Sequence, residues 1–463
     1  MTDIPIEFID RHGTDCIKWD QNLPSKCNKE PIYAWCADQD FATPQPIAQA
    51  IKTRASHPVF GYPIIPETVN EAIKHWAHSR FNWDIKSEWI SLSPGVCTSI
   101  AFCVQAYTHP GDYVVTLSPG YFPVTNIAVD NGCRVIHSRM MFNDQTKKFE
   151  INFADLEQKI AQNDVKIFFL TNPHNPTGRS FSKQELQKIG EICLKNKVLV
   201  VSDEIHWDLV LHFNSDEEEE EKDLNSLFHH KHIPFSSLSP EIADITILLS
   251  APSKTFNLPS LLCSYAIITN PKLKQQFDFR MTCNAHRMKN CVAFPAIISA
   301  YTQCSSWVDK TRKLYRDNFL IVKIFFLQEK YRNLVDVVEQ EATFLLFINF
   351  NKAIVHFKYI DPTTKQEIYP LPRNTDIVTG KSFIPEINDG GTFDPLNPDA
   401  LKSFFFERIA VLFMEGAQFS LEDGDGWIRL NIATEPKIIS EIVHRIGELL
   451  DQLEEEIKAR DKQ

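Results

Sequence analysis

Short apolar runs alternate with amphipathic stretches through the middle of the chain, from about residue 46 to residue 290. The apolar runs, rich in Val, Ile and Phe, predict strands at 88–93, 112–118, 133–138, 165–171, 198–203, 245–250 and 264–269. The amphipathic stretches predict helices at 97–107, 153–161 and 182–196. Ser182 and Glu185 have the spacing of a capping box at the start of the last helix. This alternation is typical of an α/β fold, in which helices cover a mostly parallel sheet.

The pattern becomes helical and then mixed after residue 291. We predict a long helix at 307–331, a strand at 342–350 and an amphipathic helix at 436–457. The chain is therefore expected to form a large domain at 46–290 and a smaller α+β domain at 291–463. Residues 1–45 are expected to be an N-terminal segment that joins the small domain.

Two polar segments are predicted to be insertions. Residues 214–232 contain six consecutive acids, from Asp216 to Glu221, and such a run is usually a solvated loop because it repels itself. Residues 352–397 are polar, contain Pro and Gly, and are long for a plain loop.

The charge of the chain limits which partners it can bind, and its cysteine content indicates in which compartment it is found. The formal net charge of −12 over 463 residues argues against a nucleic acid or an anionic membrane as partner. The 11 cysteines are irregularly spaced and form no C-x-x-C pair, which favours free thiols in a reducing compartment. The N-terminus lacks the apolar core of a signal peptide, and no apolar stretch reaches the roughly 18 residues of a membrane span. We therefore expect a cytoplasmic protein.

Three polar residues follow predicted strands, at the edge of the sheet where ligands of α/β proteins bind. Asp203 ends strand 198–203, where a buried carboxylate needs a cation such as a protonated pyridine nitrogen, unless it caps a turn or binds a metal. Asn175 lies between two prolines, which predict an extended, rigid loop. Its amide can donate to a phenolate oxygen, or it only shapes a turn. Lys254 can form a Schiff base if an apolar pocket lowers its pKa, and is otherwise a surface lysine.

Other candidates lie at a helix start and in the second domain. Gly95, Val96 and Cys97 are predicted at a helix N-terminus, which is an anion site or a plain strand–turn–helix. Tyr121 follows the next strand and can stack on a planar cofactor or pack in the core. Arg429 lies between apolar residues, which predicts a bidentate carboxylate partner from a ligand or from an internal acid.

Taken in order, S-P-G-V, S-P-G-Y-F-P, N-P-H-N-P-T-G, S-D-E-I-H, S-K-T-F-N and I-R-L-N resemble the motifs of fold-type I pyridoxal-phosphate (PLP) enzymes of the class I/II aminotransferase superfamily. The stretches 35–44 and 60–90, together with NPHNPTGRSFSKQEL and VVSDEIHWDLVL, are similar to the cystathionine β-lyase (MalY/PatB-like) branch. The resemblance covers most of 30–350 and 400–450. It implies the PLP transferase fold, PLP as cofactor, an amino-acid substrate and a homodimer with shared active sites.

The resemblance also implies how the candidates would hold the cofactor. Lys254 would form the Schiff base, and Asp203 would pair the pyridine nitrogen. Asn175 and His206 would face the ring oxygen, while Tyr121 would stack on the ring. The phosphate would be bound by two amides and two hydroxyls, those of Val96, Cys97, Ser253 and Ser250.

Other implied roles concern the substrate. Tyr62 would reach the phosphate or the substrate of the neighbouring subunit and take part in catalysis. Arg429 and the amide of Ala37 would hold the substrate α-carboxylate. The chain departs from the family at Ser260, where relatives usually show Gly, and at Leu262, where a polar or basic residue is frequent.

The branch resemblance implies β-elimination from a sulfur-bearing L-amino acid of the cystathionine or cysteine type, giving a thiol, pyruvate and ammonia. An aminotransferase uses the same constellation and is the alternative. A second alternative is a PLP-binding regulatory protein with little turnover, suggested by Ser260, Leu262 and the acidic loop. The run H-H-K-H at 229–232 adjoins that loop without supporting ligands, and no metal site is predicted.

Overall fold

The structure of the chain is a computed structural model, described here for residues 4–20, 27–211, 232–354, 359–360, 367–368, 400–420 and 423–460. Most of the predicted acidic loop at 214–232 and most of the predicted insertion at 352–397 therefore lie outside the described residues. The domain boundaries stay predictions.

The strands are mostly short. Seven of those in the N-terminal two thirds follow the predicted apolar runs, whereas those at 32–33 and 148–151 were not predicted. The strands are β1 Ile32–Tyr33, β2 Ile90–Ser93, β3 Tyr113–Ser118, β4 Arg134–Asn143, β5 Lys148–Ile151, β6 Val165–Thr171, β7 Leu199–Asp203, β8 Thr246–Ser250, β9 Ser264–Ile267, β10 Asp336–Val337, β11 Leu345–Asn349, β12 Tyr359–Ile360, β13 Glu367–Ile368, β14 Val411–Leu412, β15 Met414–Glu415 and β16 Trp427–Asn431.

The helices alternate with these strands and then dominate the C-terminal third. They are α1 Gln45–Ala55, α2 Glu67–Phe81, α3 Val96–Tyr107, α4 Phe122–Asp130, α5 Phe153–Gln162, α6 Lys183–Asn196, α7 Pro240–Asp244, α8 Ser253–Phe256, α9 Pro271–Cys283, α10 Ala293–Gln303, α11 Ser305–Phe326, α12 Asn351–Ile354, α13 Ala400–Ile409 and α14 Pro436–Arg460.

An eight-stranded sheet with the order β2-β9-β8-β7-β6-β3-β4-β5 forms the centre of the larger part. β8, β7, β6, β3 and β4 pair in parallel, whereas β9 and β5 pair antiparallel to their neighbours. The strands β2, β3, β6, β7 and β8 therefore end at the same edge. The predicted α/β fold with a mostly parallel sheet is confirmed, and that edge is where such sheets bind ligands.

A second, smaller sheet with the order β10-β11-β16-β15 is fully antiparallel. Its strand β16 is buried along its whole length and pairs Arg429 with Phe347 on one side and with Met414 on the other. The predicted smaller α+β part of the fold is confirmed. This sheet fixes the one arginine that the sequence singled out.

Two predicted elements differ from the structure by five residues at their C-terminal ends. The strand predicted at 133–138 continues to Asn143 and forms a hairpin with β5, because Met140–Asn143 pair with Lys148–Ile151 across a tight turn. The helix predicted at 307–331 ends at Phe326, where Leu327 to Leu334 fold into successive turns instead. Both differences arise at turns, whose signals are weaker than the apolar periodicity.

An aromatic cluster supports the short helix α8. Trp76 of α2 stacks on Tyr301 of α10 at 4.9 Å between ring centroids, and Phe256 of α8 stacks on Trp307 of α11 at 5.8 Å. All four side chains are buried. Helix α8 has only four residues, so this packing, rather than its own hydrogen bonds, holds it in place.

In the part of the chain that the structure describes, no helix has the length and apolar character required to cross a bilayer.

The capping box of α6 makes a direct prediction of stability. The Ser182 side chain accepts a hydrogen bond from the Glu185 amide at 3.2 Å, and the Glu185 carboxylate accepts one from the Ser182 amide at 2.8 Å. We expect Ser182→Ala to lower the free energy of unfolding by about 1 kcal/mol, measured by urea unfolding. Ser440→Ala, in the exposed first turns of α14, is the control and should change it by less than about 0.5 kcal/mol. Equal effects of the two variants would contradict a capping role.

Candidate active site

The ends of the parallel strands bring the candidate residues to one edge of the large sheet. β7 ends at Asp203, which pairs with Thr171 of β6 and with Leu249 of β8. Lys254 follows the end of β8 by four residues, at the second position of α8. The residues predicted from separate strand ends therefore converge, as the parallel arrangement requires.

Lys254 is half-buried, and its Nζ donates to the carbonyl oxygen of Ala37 at 2.7 Å. Burial lowers the pKa of Lys254, and the positive charge of Arg429 acts in the same direction, whereas Cys36 and Asp38 raise it. A partly desolvated amine with a lowered pKa is what a Schiff-base lysine requires. The surface alternative for Lys254 does not hold.

Asp203 is buried, and its carboxylate accepts a hydrogen bond from the Ile205 amide at 3.2 Å. Within the described residues it forms no ion pair. Burial raises the pKa of Asp203 to about 7, and the charge of Glu204 adds to this rise. The charge of Lys254 opposes the rise, but no cation in the described part of the protein is close enough to form the ion pair that a buried carboxylate needs.

Arg429 reaches this edge from the small sheet and joins the two parts of the site. One terminal nitrogen donates to Asn175 Oδ1 at 3.1 Å, and the other donates to the carbonyl of Trp35 at 3.0 Å. Its guanidinium lies 4.9 Å above the ring of Phe419. Among the described residues it has no carboxylate partner, and its buried Nε has no hydrogen bond. The internal salt bridge that the sequence left open is therefore not formed there.

The loop around Asn175 is not the extended segment that its prolines predicted. Residues 175–177 form a turn, which is closed by the Gly178 amide donating to the His174 carbonyl at 2.9 Å. The peptide bonds before Pro173 and Pro176 are cis. The turn buries Asn175 with its Oδ1 toward Arg429, and within the described residues its Nδ2 donates to no protein acceptor.

His206 and Tyr121 lie beside these charged groups. His206 is buried, its Nδ1 has no hydrogen-bond partner, and burial, together with the charges of Lys254 and Arg429, holds its pKa well below the usual range. Tyr121 is half-buried just before α4, with its hydroxyl 4.0 Å from Cys97 Sγ. Burial raises the pKa of Tyr121. The charges of Cys97 and Asp203 raise it further and that of Arg429 lowers it, so the tyrosine lies in the same cleft as these groups.

The N-terminus of α3 is formed as predicted. Gly95 precedes the helix with φ +140°, a conformation that favours glycine, and the helix begins at Val96 and Cys97. The amides of the first residues of a helix have no intrahelical acceptor, so they can bind an anion. Ser253 is half-buried at the start of α8, whereas Ser250 is fully buried and its hydroxyl donates to the Glu204 carbonyl at 3.2 Å.

Two predicted site residues have a different environment. Ala37 contacts Lys254 through its carbonyl, and the role predicted for its amide stays a prediction. Tyr62 is 92% exposed within a segment without helix or strand, so this protomer alone does not bring it into the cleft. Leu262, the predicted departure from the family, is also exposed and has positive φ.

Sequence reasoning missed three residues that organise the site. Gln39 Nε2 donates to the Lys254 carbonyl at 2.6 Å, and Asn257 Nδ2 donates to the Gln39 carbonyl at 3.0 Å. Asn431, two residues after Arg429, donates to the Asp38 carbonyl at 2.6 Å. The only local signal for them is that each lies inside or beside a motif that was already recognised.

His232 is the one described residue of the run 229–232. Its Nε2 is 2.6 Å from Glu204 Oε2, and both side chains are buried. Among the residues that the structure describes, no three His, Cys, Asp or Glu side chains are grouped so that they could bind a metal ion.

Comparison with known proteins identifies the family. The model of the family "Aminotransferase class I and II" matches residues 32–446. The chain belongs to this family. The predicted recognition, the fold-type I architecture and PLP as the family's cofactor are confirmed.

Specific relatives are found both by sequence and by structure. Cystathionine beta-lyase PatB of Bacillus subtilis is 35% identical over 342 residues, which cover 74% of this chain and 83% of PatB. The structure of cystalysin from Treponema denticola, which contains a pyridoxal 5'-phosphate cofactor, matches with a TM-score of 0.80 at 26% identity, covering 98% and 100% of the two chains. A PLP-bound putative aminotransferase from Clostridium difficile 630 matches with a TM-score of 0.79 at 28% identity, covering 96% and 98%.

The cleft of this aminotransferase-family chain fits the cofactor on its own geometry. The buried carboxylate of Asp203 has no ion-pair partner among the described residues, and His206 Nδ1 has no hydrogen-bond partner. The first amides of α3 have no side-chain cap and can bind an anion. A cationic ring nitrogen, a ring oxygen and a phosphate would satisfy these groups in turn.

The raised pKa of Asp203 predicts a pH-dependent stability. A carboxyl whose pKa rises from 3.8 to about 7 on folding stabilises the protein while it is protonated, and this contribution is lost as the pH rises through about 7. Because Asn stays neutral, the free energy of unfolding of Asp203→Asn relative to the cofactor-free wild type should be roughly 2 kcal/mol higher at about pH 8 than at about pH 5.5. Urea unfolding of both proteins at the two pH values measures the gain. Asp164→Asn, at an exposed site, is the control. An equally small gain in the free energy of unfolding for both variants would contradict the assignment.

Proposed function

We propose that the protein is a PLP-dependent carbon–sulfur β-lyase that acts on a sulfur-containing L-amino acid of the cystathionine or cysteine type. The observation that carries this proposal is the 35% identity to cystathionine beta-lyase PatB over most of both chains. The likeness to cystalysin and the geometry of the cleft support it. The products are a thiol, pyruvate and ammonia.

Each part of the cofactor has residues that fit it. Lys254 would bind it covalently, Asp203 would pair the ring nitrogen, and Asn175 with His206 would face the ring oxygen. Tyr121 would stack on the ring. The phosphate would be bound by the α3 N-terminus and the start of α8, through Val96, Cys97 and Ser253, whereas the hydroxyl of Ser250 already donates to the Glu204 carbonyl. When bound, the cofactor supplies the electron sink that stabilises negative charge at the substrate Cα.

Lys254 is suited to move the proton of Cα. Burial lowers the pKa of its amine, which increases the fraction that is neutral and able to accept a proton near neutral pH. In the proposed reaction the substrate amine replaces the amine of Lys254, which frees Nζ. The Cα–H bond then breaks and the proton passes to Nζ. The Cβ–S bond then breaks, sulfur leaves as a thiolate, and the released aminoacrylate is hydrolysed to pyruvate and ammonia.

Arg429 is proposed to bind the substrate α-carboxylate together with the Ala37 amide. The arginine is held by Asn175, Trp35 and the Phe419 ring, none of which neutralises its charge. Burial lowers the pKa of Arg429 to about 10, so it is still protonated at neutral pH. A buried, oriented guanidinium binds a carboxylate strongly because water competes little with it.

An aminotransferase is the second candidate, because the putative aminotransferase from Clostridium difficile 630 shares the fold at 28% identity. The two reactions begin at the same Cα proton and differ in what happens at Cβ. Pyruvate from a sulfur amino acid without an added 2-oxo acid is specific to elimination, whereas a requirement for a 2-oxo acid indicates transamination.

We also propose a homodimer in which the second copy covers an exposed apolar segment. Val59, Phe60 and Ile64 are 61%, 57% and 86% exposed in the protomer, and Tyr62 lies among them. Contiguous exposed apolar side chains of this kind are typical of subunit contacts. Tyr62 then reaches the active site of the partner.

A cytoplasmic location is proposed as well. All 11 cysteines lie among the described residues, and every one is a free thiol. Free thiols persist in reducing compartments.

Substitution of Lys254 tests the assigned chemistry. We expect wild type supplied with PLP to show the visible band of lysine-bound cofactor and to release pyruvate from L-cystathionine. Lys254→Ala should lose the band and at least about 10³-fold of the pyruvate rate, because it lacks both the covalent link and the base. Lys159→Ala, in α5, is the matched control and should retain both. A wild-type band without pyruvate or thiol from any sulfur amino acid would overturn the lyase and leave transamination or regulation.

Mixing two inactive variants tests the shared site. Lys254→Ala and Tyr62→Ala should each be defective, but a heterodimer of them regains one intact site if Tyr62 acts in the partner's cleft. Random reassembly after mild denaturation should restore roughly a quarter of wild-type activity. Sedimentation before mixing checks that each variant is dimeric, and no recovery from dimeric variants would show that Tyr62 does not act across the interface.

A further inference from the structure

A short segment, residues 35–43, joins the two halves of the site, and we call it the strap. Its backbone carbonyls face the site residues. Trp35 O accepts from Arg429, and Ala37 O accepts from Lys254. Cys36 O and Asp38 O both accept from Asn431 Nδ2, and Gln39 O accepts from Asn257 Nδ2. Five consecutive carbonyls are therefore bonded to residues of α8, β16 and their immediate surroundings.

The strap is also tied to the backbone of α8. Gln39 Nε2 donates to the Lys254 carbonyl at 2.6 Å, and Thr43 Oγ1 donates to the Phe256 carbonyl at 3.1 Å. A shift of the strap would therefore move Lys254 and Arg429 relative to each other. Misplacement of reacting groups by about 1 Å can reduce an enzyme's rate by roughly 10²-fold.

The acidic side chains of the strap point away from these contacts, to residues 4–20, which we call the arm. Arg11 donates to Asp38 Oδ2 at 2.6 Å, to Asp40 Oδ1 at 3.1 Å and to the Gln39 carbonyl at 3.0 Å. Lys18 Nζ donates to Asp40 Oδ2 at 2.7 Å. The carbonyls of the strap thus contact the site, and its two aspartates contact two cations of the arm, while the Gln39 carbonyl accepts from both sides.

Burial makes these ion pairs important for the position of the strap. Lys18 is 1% exposed and Asp40 is 7% exposed. Removal of one partner from a buried pair leaves an uncompensated charge, so the remaining group tends to move toward water. If the arm lost Arg11, Asp38 would keep only the more distant Nζ of Lys18, at 3.8 Å, and would draw the strap away from α8 and β16.

We propose that Arg11 and Lys18 are positioning residues of the active site, which hold the strap against α8 and β16 by neutralising its two aspartates. Neither cation touches the groups that react. The arm sets the distance between the lysine and the arginine of the site, and it limits the negative charge that Asp38 presents to Lys254. This inference rests on the roles proposed for Lys254 and Arg429, so its test includes measurements that need no turnover.

The first measurement is hydrogen exchange of full-length wild type and Arg11→Gln, in peptides that cover 35–43. We expect about tenfold faster exchange in the variant, because the strap opens locally. The second is the pH profile of Lys254 labelling by an amine-reactive reagent, in protein freed of cofactor. Loss of the Arg11 charge leaves Asp38 less compensated, so the midpoint should rise by about half a pH unit.

Turnover supplies the third measurement. The strap holds Arg429, which is proposed to bind the substrate carboxylate, so KM for L-cystathionine should rise about tenfold in Arg11→Gln with a smaller change in kcat. Arg11→Lys keeps the charge and should have a labelling midpoint close to that of the wild type. If wild type releases no pyruvate, the lyase proposal fails while exchange and labelling still decide the role of the arm.

Lys147→Gln is the matched control, because it also removes one of two cations from a buried aspartate, Asp336, outside the site. We expect it to lower the melting temperature without affecting strap exchange or the Lys254 midpoint. Equal changes of melting temperature in Arg11→Gln and Lys147→Gln, with exchange and midpoint unchanged in both, would overturn the proposal. Lys18→Gln should repeat the Arg11→Gln result. If it does not fold, Arg11→Gln is decisive, since the Arg11 side chain is 19% exposed and Lys18 still holds Asp40.

Discussion

Desolvation of unpaired charges is the constraint on which the rest of the cleft depends. Asp203, Lys254 and Arg429 are withdrawn from water at the same edge of the sheet, yet none forms an ion pair within the described residues. Each is held by neutral hydrogen bonds, from the Ile205 amide or to carbonyl and amide oxygens. Such an arrangement is costly in isolation and favourable once a ligand of matching charges binds. A phosphorylated, cationic ring that carries an amino acid is a ligand of this type.

The scaffold keeps these charges in place by two different means. On the side of the large sheet, parallel strands end together, and stacked aromatic rings immobilise the four-residue helix that carries Lys254. On the side of the small sheet, the buried strand β16 pairs on both edges, so the arginine has little freedom. The strap connects the two sides through its backbone. The site is therefore rigid within each part and sensitive to whatever sets the position of the strap.

The sequence predicted the strand ends well and the connections poorly, for physical reasons. The strand 165–171 was predicted with its observed bounds, and Asp203 and Lys254 follow directly from strand ends, because apolar runs and nearby polar residues are local signals. The turn at 175–177 and the hairpin beyond residue 138 depend on backbone hydrogen bonds that no side-chain pattern encodes. Gln39 and Asn257 are separated by more than 200 residues, so their contact exists only after folding. The proposed homodimer, and with it the proposed role of Tyr62, depends on a second chain, so neither can be read from the pattern of one chain.

The strap is held by atoms that every amino acid possesses. Because its five carbonyls bond to the site through the backbone, these bonds do not depend on the side chains of Cys36 and Ala37, two half-buried residues that border Lys254. Changes there would alter the shape and polarity next to the reacting amine and leave the architecture intact. Related chains can therefore differ in substrate preference by exchanging these side chains, while the backbone that positions the catalytic residues stays the same.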